Sequence, residues 1–224
     1  SSDPLPTKLL KEVVYFLAPF LTELLNRSLI AGVVPDSFKS AYVTPLLKKP
    51  NLDPTEVSSY RPISNLSVLS KLLERLVMAQ MRDYIEKFSL LPVTQSAYRA
   101  NHSTETAVLQ VNSDLLQALD SGNVAVLVLL DLSAAFDTVD HSILLRRLSV
   151  SCGVSGVALD WFTSYLSGRT QFVLFNGDRS STVEIECGVP QGSVLGPLLF
   201  TIYTAGVTQL VQRHGLSSHL YADD

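Results

Sequence analysis

Apolar residues recur at helical spacing from Lys8 to Ala31, and Gly32 stops the pattern. Pro19 falls inside that stretch and is expected to kink or split the helix. Ala41 to Leu47 alternates as a short extended piece, but Pro45 argues against a central strand. Lys48 to Ser59 is polar, carries Pro50 and Pro54, and reads as a loop. A long amphipathic helix is predicted over Leu66–Phe88, with Leu69, Leu72, Leu73, Leu76, Val77 and Met81 on one side. Thr104 to Leu119 is predicted as another helix. Ser103 is its N-cap, and Thr106 at the third position denies it a full capping box.

The second half mixes periods. Asn123 to Leu132 is the most continuous apolar run and predicts a strand buried on both faces. Short helices are expected over Ser142–Leu148 and Ala158–Leu166. Gln171–Phe175 and Thr182–Ile185 read as strands of a hairpin turning at Asn176-Gly177-Asp178. Gly188 to Gly196 is loop-like, Leu198–Val211 is helical with Gly206 weakening its middle, and Ser218–Tyr221 would be a closing strand. A helical first third followed by mixed elements gives an α+β class.

At 224 residues and 46% apolar, the chain can bury a sizeable core. No uninterrupted apolar run reaches the roughly 18 residues of a membrane span, so no membrane partner is expected. No secretory signal opens the chain, and the missing initiator Met suggests a cut N-terminus. Cys152 and Cys187 match no metal spacing and read as two reduced thiols of an intracellular protein. Net charge is −4, which argues weakly against nucleic acid. The first hundred residues, however, carry 12 Lys and Arg against 9 Asp and Glu, and the remainder 5 against 12. Bound divalent metal would neutralise part of that acidic second half.

Candidate chemistry starts at Asp131, at the end of the run Val124–Leu130. Alone it reads as a strand-end cap for the next turn. Asp223-Asp224, after a short apolar approach, would alone be a solvated pair. Together these acids suggest a site for two Mg²⁺ ions. Gly188-Val-Pro-Gln-Gly-Ser-Val-Leu-Gly-Pro197 holds three glycines and two prolines, either as a structural loop or as one that a ligand approaches closely. There Gln191 offers an amide donor and acceptor.

Three stretches carry a family resemblance: Leu130-Asp131-Leu-Ser-Ala-Ala-Phe136-Asp137-Thr-Val-Asp-His141, the Gly188–Phe200 segment, and Tyr221-Ala-Asp-Asp224. They resemble three core motifs of reverse transcriptases, in the branch of LINE-type retrotransposons without long terminal repeats. Tyr60-Arg-Pro-Ile-Ser-Asn65 and Gln95–Thr104 are similar to the two preceding fingers motifs, and the order agrees across nearly the whole chain. The resemblance implies a right-hand polymerase: an N-terminal helical extension over 1–45, fingers over 46–122, and over 123–224 a partial palm with a ferredoxin-like core. No thumb is expected within these residues.

It also implies roles. Asp131, Asp223 and Asp224 would be catalytic and hold two Mg²⁺, with Mn²⁺ as a substitute. Phe136 would be the steric gate against a ribose 2′-hydroxyl, and Gln191 and Gly192 would flank the incoming nucleotide. Arg61 and Lys71 would contact the triphosphate, with a solvated helix position as the other reading of Lys71. Arg99 would meet the nucleotide or template backbone. The implied activity is RNA-directed DNA polymerisation from deoxynucleoside triphosphates on an RNA template and DNA primer, in nucleus and cytoplasm. The rival is a non-catalytic, retrotransposon-derived RNA-binding or interaction module.

Two departures stand out. Thr204-Ala-Gly-Val207 replaces the family's usual text, leaving the helix end open there. Asn101 replaces a common Gly and would tolerate a positive φ better than most residues. Because the chain ends on Asp224, before a return strand, these 224 residues alone are expected not to polymerise.

Overall fold

The computed structural model describes residues 7–132 and 134–222. Helix α1 spans Thr7–Ala31, and Pro19 lies inside it without ending it. Gly32, at φ +66°, ends the helix. Leu10, Leu25 and Ser28 are its buried residues, while Tyr15, Phe16 and Phe20 face outward. By length and composition alone α1 is long and apolar enough to cross a bilayer, which the search for uninterrupted runs overlooked. Its C-terminal half is tied down: the Trp161 indole donates to Ser28 Oγ (3.1 Å), and Ser28 Oγ donates to the Val33 carbonyl (2.6 Å).

Among the described residues the strands form one mixed sheet. β1 (Ser40–Leu47) pairs antiparallel with β2 (Tyr60–Asn65) and parallel with β3 (Arg169–Phe175). β1 is therefore central, against expectation. Pro45 is tolerated because β3 pairs only with Ser40–Val43, and beyond that β1 is an edge. On the other side Pro45 opposes Pro62, so neither residue of that pair has an N–H to lose. The far edge of β3 carries β4 (Asp178–Arg179) and β5 (Val183–Ile185), both antiparallel. Asn176 and Gly177, at φ +50° and +93°, make the turn where a hairpin is expected, with Asp178 already in β4 opposite Phe175.

Helices α2 (Val68–Lys87), α4 (His141–Val150), α5 (Val157–Leu166) and α6 (Gly196–Thr204) enclose the core. Leu73 and Val77 of α2, Leu144 and Leu148 of α4, Trp161 of α5 and Phe200 of α6 belong to one buried cluster, joined by Leu25, Val34 and Phe38 from the N-terminal segment. The helix expected over Leu198–Val211 breaks at Ala205, with α7 (Gly206–Arg213) following, so the Gly206 departure does mark a helix end.

Three expectations need correction. Helix α3 (Thr104–Asp120) does have a capping box. The Thr106 hydroxyl accepts from the Ser103 N–H (2.9 Å), the reach for which a Glu or Gln is usually required. Asn123–Leu132 is not a buried strand: it is irregular and exposed, with Val124 at 90% and Leu129 at 84%. Apolar content predicts burial only where a partner strand exists, and none of the described residues supplies one. Finally, the expected strand at Ser218–Tyr221 contributes one parallel bridge, Gln95 to Leu220.

Candidate functional site

The Gly188–Gly196 loop is held here by two distant parts of the chain. The Gly188 N–H donates to the Val139 carbonyl (2.7 Å), and the Val189 N–H to that of Phe136 (2.8 Å). His141 Nε2 sits 2.7 Å from the Gly188 carbonyl oxygen. On another side, the Ser64 N–H of β2 donates to the Gln191 carbonyl (2.8 Å). Gly192 is at φ +104°, and a Cβ there would stand 2.8 Å from the Ser64 carbonyl oxygen. Glycine is needed at this position both for its backbone angle and for the close approach of β2.

These contacts bring three of the sequence motifs together: Tyr60–Asn65, the segment from Phe136 to His141, and the Gln191 loop. Gln191 is fixed at its side chain as well, since its Nε2 donates to Asp137 Oδ2 (2.9 Å). A carboxylate only accepts, so Asp137 sets which way the Gln191 amide faces and leaves Oε1 for a ligand. The Phe136 ring is half-buried and stacks on Phe200, centroids 4.8 Å apart. A cleft of about 570 Å³ opens beside the loop, bordered by Val43, Ser64, Asp137, Gln171, Cys187 and Gln191. That volume suits a small-molecule site.

The remaining predicted residues are less gathered. Arg61 is exposed on β2, and Lys71 is half-buried in the first turn of α2. Arg99 turns inward on its own loop, its Nη1 donating to the carbonyls of Pro92 (3.0 Å) and Gln95 (3.3 Å). Asn101 has φ +61°, the conformation that a Gly at this point would serve. Asp131 is exposed on the irregular segment. Asp223 and Asp224 lie outside the described residues. Their approach is anchored, however: Leu220 exchanges hydrogen bonds with Thr94 and Ser96, and Thr104 Oγ1 donates to the Tyr221 hydroxyl (2.9 Å).

Among the described residues no three His, Cys, Asp or Glu side chains cluster as a metal site. The predicted donor set is three carboxylates, hard oxygen ligands of the type that Mg²⁺ takes. A second cleft of about 470 Å³, lined by Asn101, Gln110 and the His219–Asp114 pair (2.7 Å), includes none of the predicted site residues.

Two important residues escaped the sequence reading. Asp137 stands in the sequence as one acid within a longer motif. Glu74 lies on α2, where it shares a face with Leu73, Val77 and Met81. An acid on the buried stripe of an amphipathic helix was the available signal. Glu74 is 1% exposed, and its Oε2 accepts from the N–H groups of Val194 (2.6 Å) and Leu195 (3.1 Å). Burial pushes its carboxyl above the ordinary range, partly offset by those two N–H groups and by the charge of Arg169. Burial likewise raises the Tyr165 hydroxyl, with Glu74 adding to the effect.

The raised Glu74 value has a consequence for stability. Between the ordinary glutamate pKa and the raised one, the folded chain binds a proton that the unfolded chain has lost. Stability from this group is therefore present at low pH and is lost as pH rises through that window. Glu74→Gln removes the titration, so its melting temperature relative to the parent chain should be higher at pH 8 than at pH 4, below the ordinary glutamate pKa. A difference that stays constant or reverses in thermal melts would contradict the assignment.

Residues 47–224 match the family described as reverse transcriptase (RNA-dependent DNA polymerase). The chain is 36% identical over 211 residues to the RNA-directed DNA polymerase from mobile element jockey of Drosophila funebris, covering 92% of this chain and 23% of that protein. It is 33% identical over 207 residues to the probable RNA-directed DNA polymerase from transposon X-element of Drosophila melanogaster, covering 92% and 22%. A Pol polyprotein from the type-1 retrotransposable element R2 of Popillia japonica is 28% identical over 173 residues, covering 77% and 23%. The chain thus spans less than a quarter of the length of these relatives.

Proposed function

The chain belongs to the reverse transcriptase family, in its LINE-type branch, and on that premise we propose that it forms the nucleotide-selecting part of an RNA-directed DNA polymerase. In this reading residues 46–122 are fingers and 123–224 the palm with its ferredoxin-like core, preceded by a helical extension over 1–45. The observation that carries it is the assembly of the Gln191 loop against both Ser64 and the Phe136–His141 segment. A loop pinned at backbone and side chain presents a preformed surface to an incoming nucleotide, and pre-organisation lowers the cost of binding.

Gln191 and Gly192 line the nucleotide in this proposal. The Phe136 ring, braced by Phe200, lies under the sugar and leaves no room for a 2′-hydroxyl. Arg61 and Lys71 meet the triphosphate oxygens, for which a guanidinium fork is well shaped. Arg99, whose Nη1 braces the 92–99 turn, meets the nucleotide or template backbone with the rest of its guanidinium. Asp131, Asp223 and Asp224 would hold two Mg²⁺ ions, which when bound activate the primer 3′-hydroxyl and neutralise the leaving pyrophosphate. The RNA template is met through backbone and shape. The protein would work in the nucleus and cytoplasm.

The test is a Mg²⁺ titration of the chain by calorimetry, with and without dTTP and an RNA template annealed to a DNA primer. The expected result is Mg²⁺ binding that tightens markedly when nucleotide and primer–template are present. RNA binding without any coupling to Mg²⁺ or nucleotide would replace the polymerase reading with that of a non-catalytic RNA-binding module.

A further inference from the structure

The Gln191 loop has a support that no motif announces. Helix α6 starts at Gly196, and its N-cap residue, Leu195, has no side-chain acceptor to offer. The first N–H groups of a helix lack intrahelical partners and need acceptors from elsewhere. Ser193 Oγ satisfies one, accepting from Gly196 N–H (3.0 Å). Just before it, the N–H groups of Val194 and Leu195 both donate to Glu74 Oε2, an oxygen brought in from α2. Bonds to a carboxylate are roughly twice as strong as neutral ones.

The surroundings of Glu74 are unusual for a core. Tyr165 of α5 and Arg169 of β3 are each 1% exposed and lie beside it. Arg169 Nη1 donates to the Tyr165 carbonyl (2.9 Å), and its guanidinium stands 4.8 Å from the Tyr165 ring centroid. The Glu74 and Tyr165 side chains interact, yet Glu74 Oε1, the Tyr165 hydroxyl and Arg169 Nε and Nη2 make no hydrogen bond of good geometry. Such groups are costly in a dry interior, and apolar residues of the same volume often serve stability as well or better. Stability alone therefore does not account for the acid. What it does supply is an acceptor for the Val194 and Leu195 N–H groups, two and three positions after Gly192 in the loop.

We propose that Glu74 is the positioning residue of the nucleotide loop: by accepting from Val194 and Leu195 it fixes the Gln191-Gly192 backbone from beneath, and so sets nucleotide affinity without touching the nucleotide. The affinity half of this proposal rests on the polymerase reading given above. The loop is clamped from two sides, by Ser64 and the 136–139 backbone outside and by Glu74 inside. Removing the inner clamp frees the Val194 and Leu195 amides while α4 and α5 keep their packing.

Hydrogen exchange by mass spectrometry on the 224-residue chain tests the clamp. Glu74→Met keeps the volume and deletes the acceptor, whereas Glu74→Gln keeps an acceptor oxygen. In Glu74→Met, amides 192–195 should exchange at least about tenfold faster, the factor of one lost net hydrogen bond of about 1.4 kcal/mol, with α4 and α5 unchanged. Glu74→Gln should restore slow exchange. Unchanged loop exchange in Glu74→Met overturns the proposal, and so does equal loosening of loop and α4, which marks an ordinary core residue. If Glu74→Met does not fold, Glu74→Asp decides. Its carboxylate, drawn back by one methylene, should leave the loop loosened, and protection equal to the parent chain overturns the proposal.

Affinity for dTTP, measured with Mg²⁺ and primer–template, separates the two halves. A loosened loop with undiminished affinity overturns the functional half. A parent chain that binds no dTTP defeats the polymerase reading instead, and the exchange result still decides the clamp.

Discussion

Asp131→Asn is expected to lower primer extension, by a polymerase containing this chain, by roughly a thousandfold or more, equivalent to about 4 kcal/mol of lost transition-state stabilisation. The substitution is nearly isosteric and removes a charge that an assembled metal site needs. Asp131 is exposed, and among the described residues it has no ion-pair partner, so the fold has little stake in it. Melting should therefore move by no more than about 0.5 kcal/mol, the usual range for surface changes. Asp178→Asn, in the exposed β3–β4 hairpin, is the matched control and should extend normally. Extension by Asp131→Asn at the parental rate would remove Asp131 from the metal site. Asp223→Asn should behave as Asp131→Asn does.

Gly188→Ala should cost about 3 kcal/mol or more of stability, from backbone strain and overpacking combined. Its φ is +86°, and a Cβ would lie 2.8 Å from the Asp137 carbonyl oxygen and 2.9 Å from the Asp137 Cα. Both opposing atoms are backbone, so no rotamer change relieves the contact. Moving the loop away would stretch the 2.7 Å bond from Gly188 N–H to Val139 and the His141 contact beyond it. Gly177→Ala isolates the strain from the clash, since Gly177 is at φ +93° with open space around it. That change should cost only about 1–2 kcal/mol. Urea unfolding of the two variants makes the comparison. Equal losses would mean that the Asp137 contact is soft.

The part of the fold that was legible in the sequence is the part set by neighbours along the chain. Helical spacing located α1, α2, α4 and α5, and the Asn176-Gly177 pair located the hairpin, because both signals act within a few residues. Partners far away decided the rest. Val124–Leu130 has the composition of a buried strand and none of the environment of one. Pro45 excludes a central strand only if a strand is central along its whole length, whereas β1 is central over Ser40–Val43 and an edge beyond. The capping box of α3 was missed because a threonine hydroxyl did the work of a longer side chain.

The candidate site divides the same way. The Gly188–Gly196 loop is visible from its glycines and prolines, but its anchors at Ser64, Asp137 and Glu74 lie 54 to 127 residues away from the groups they bind. No local pattern encodes those pairings. Only the acid on the apolar stripe of α2 hinted at one of them.

The two cysteines differ in a way that offers an experimental handle. Cys152 is buried, and burial raises its thiol, which keeps it from reacting as a thiolate. Cys187 is exposed on the wall of the cleft, its sulfur 3.4 Å from the Asp137 carbonyl oxygen and four positions from Gln191. A thiol-reactive fluorophore added to the unmutated chain would therefore attach at the rim of the cleft, where its emission could follow loop motion and ligand arrival in real time.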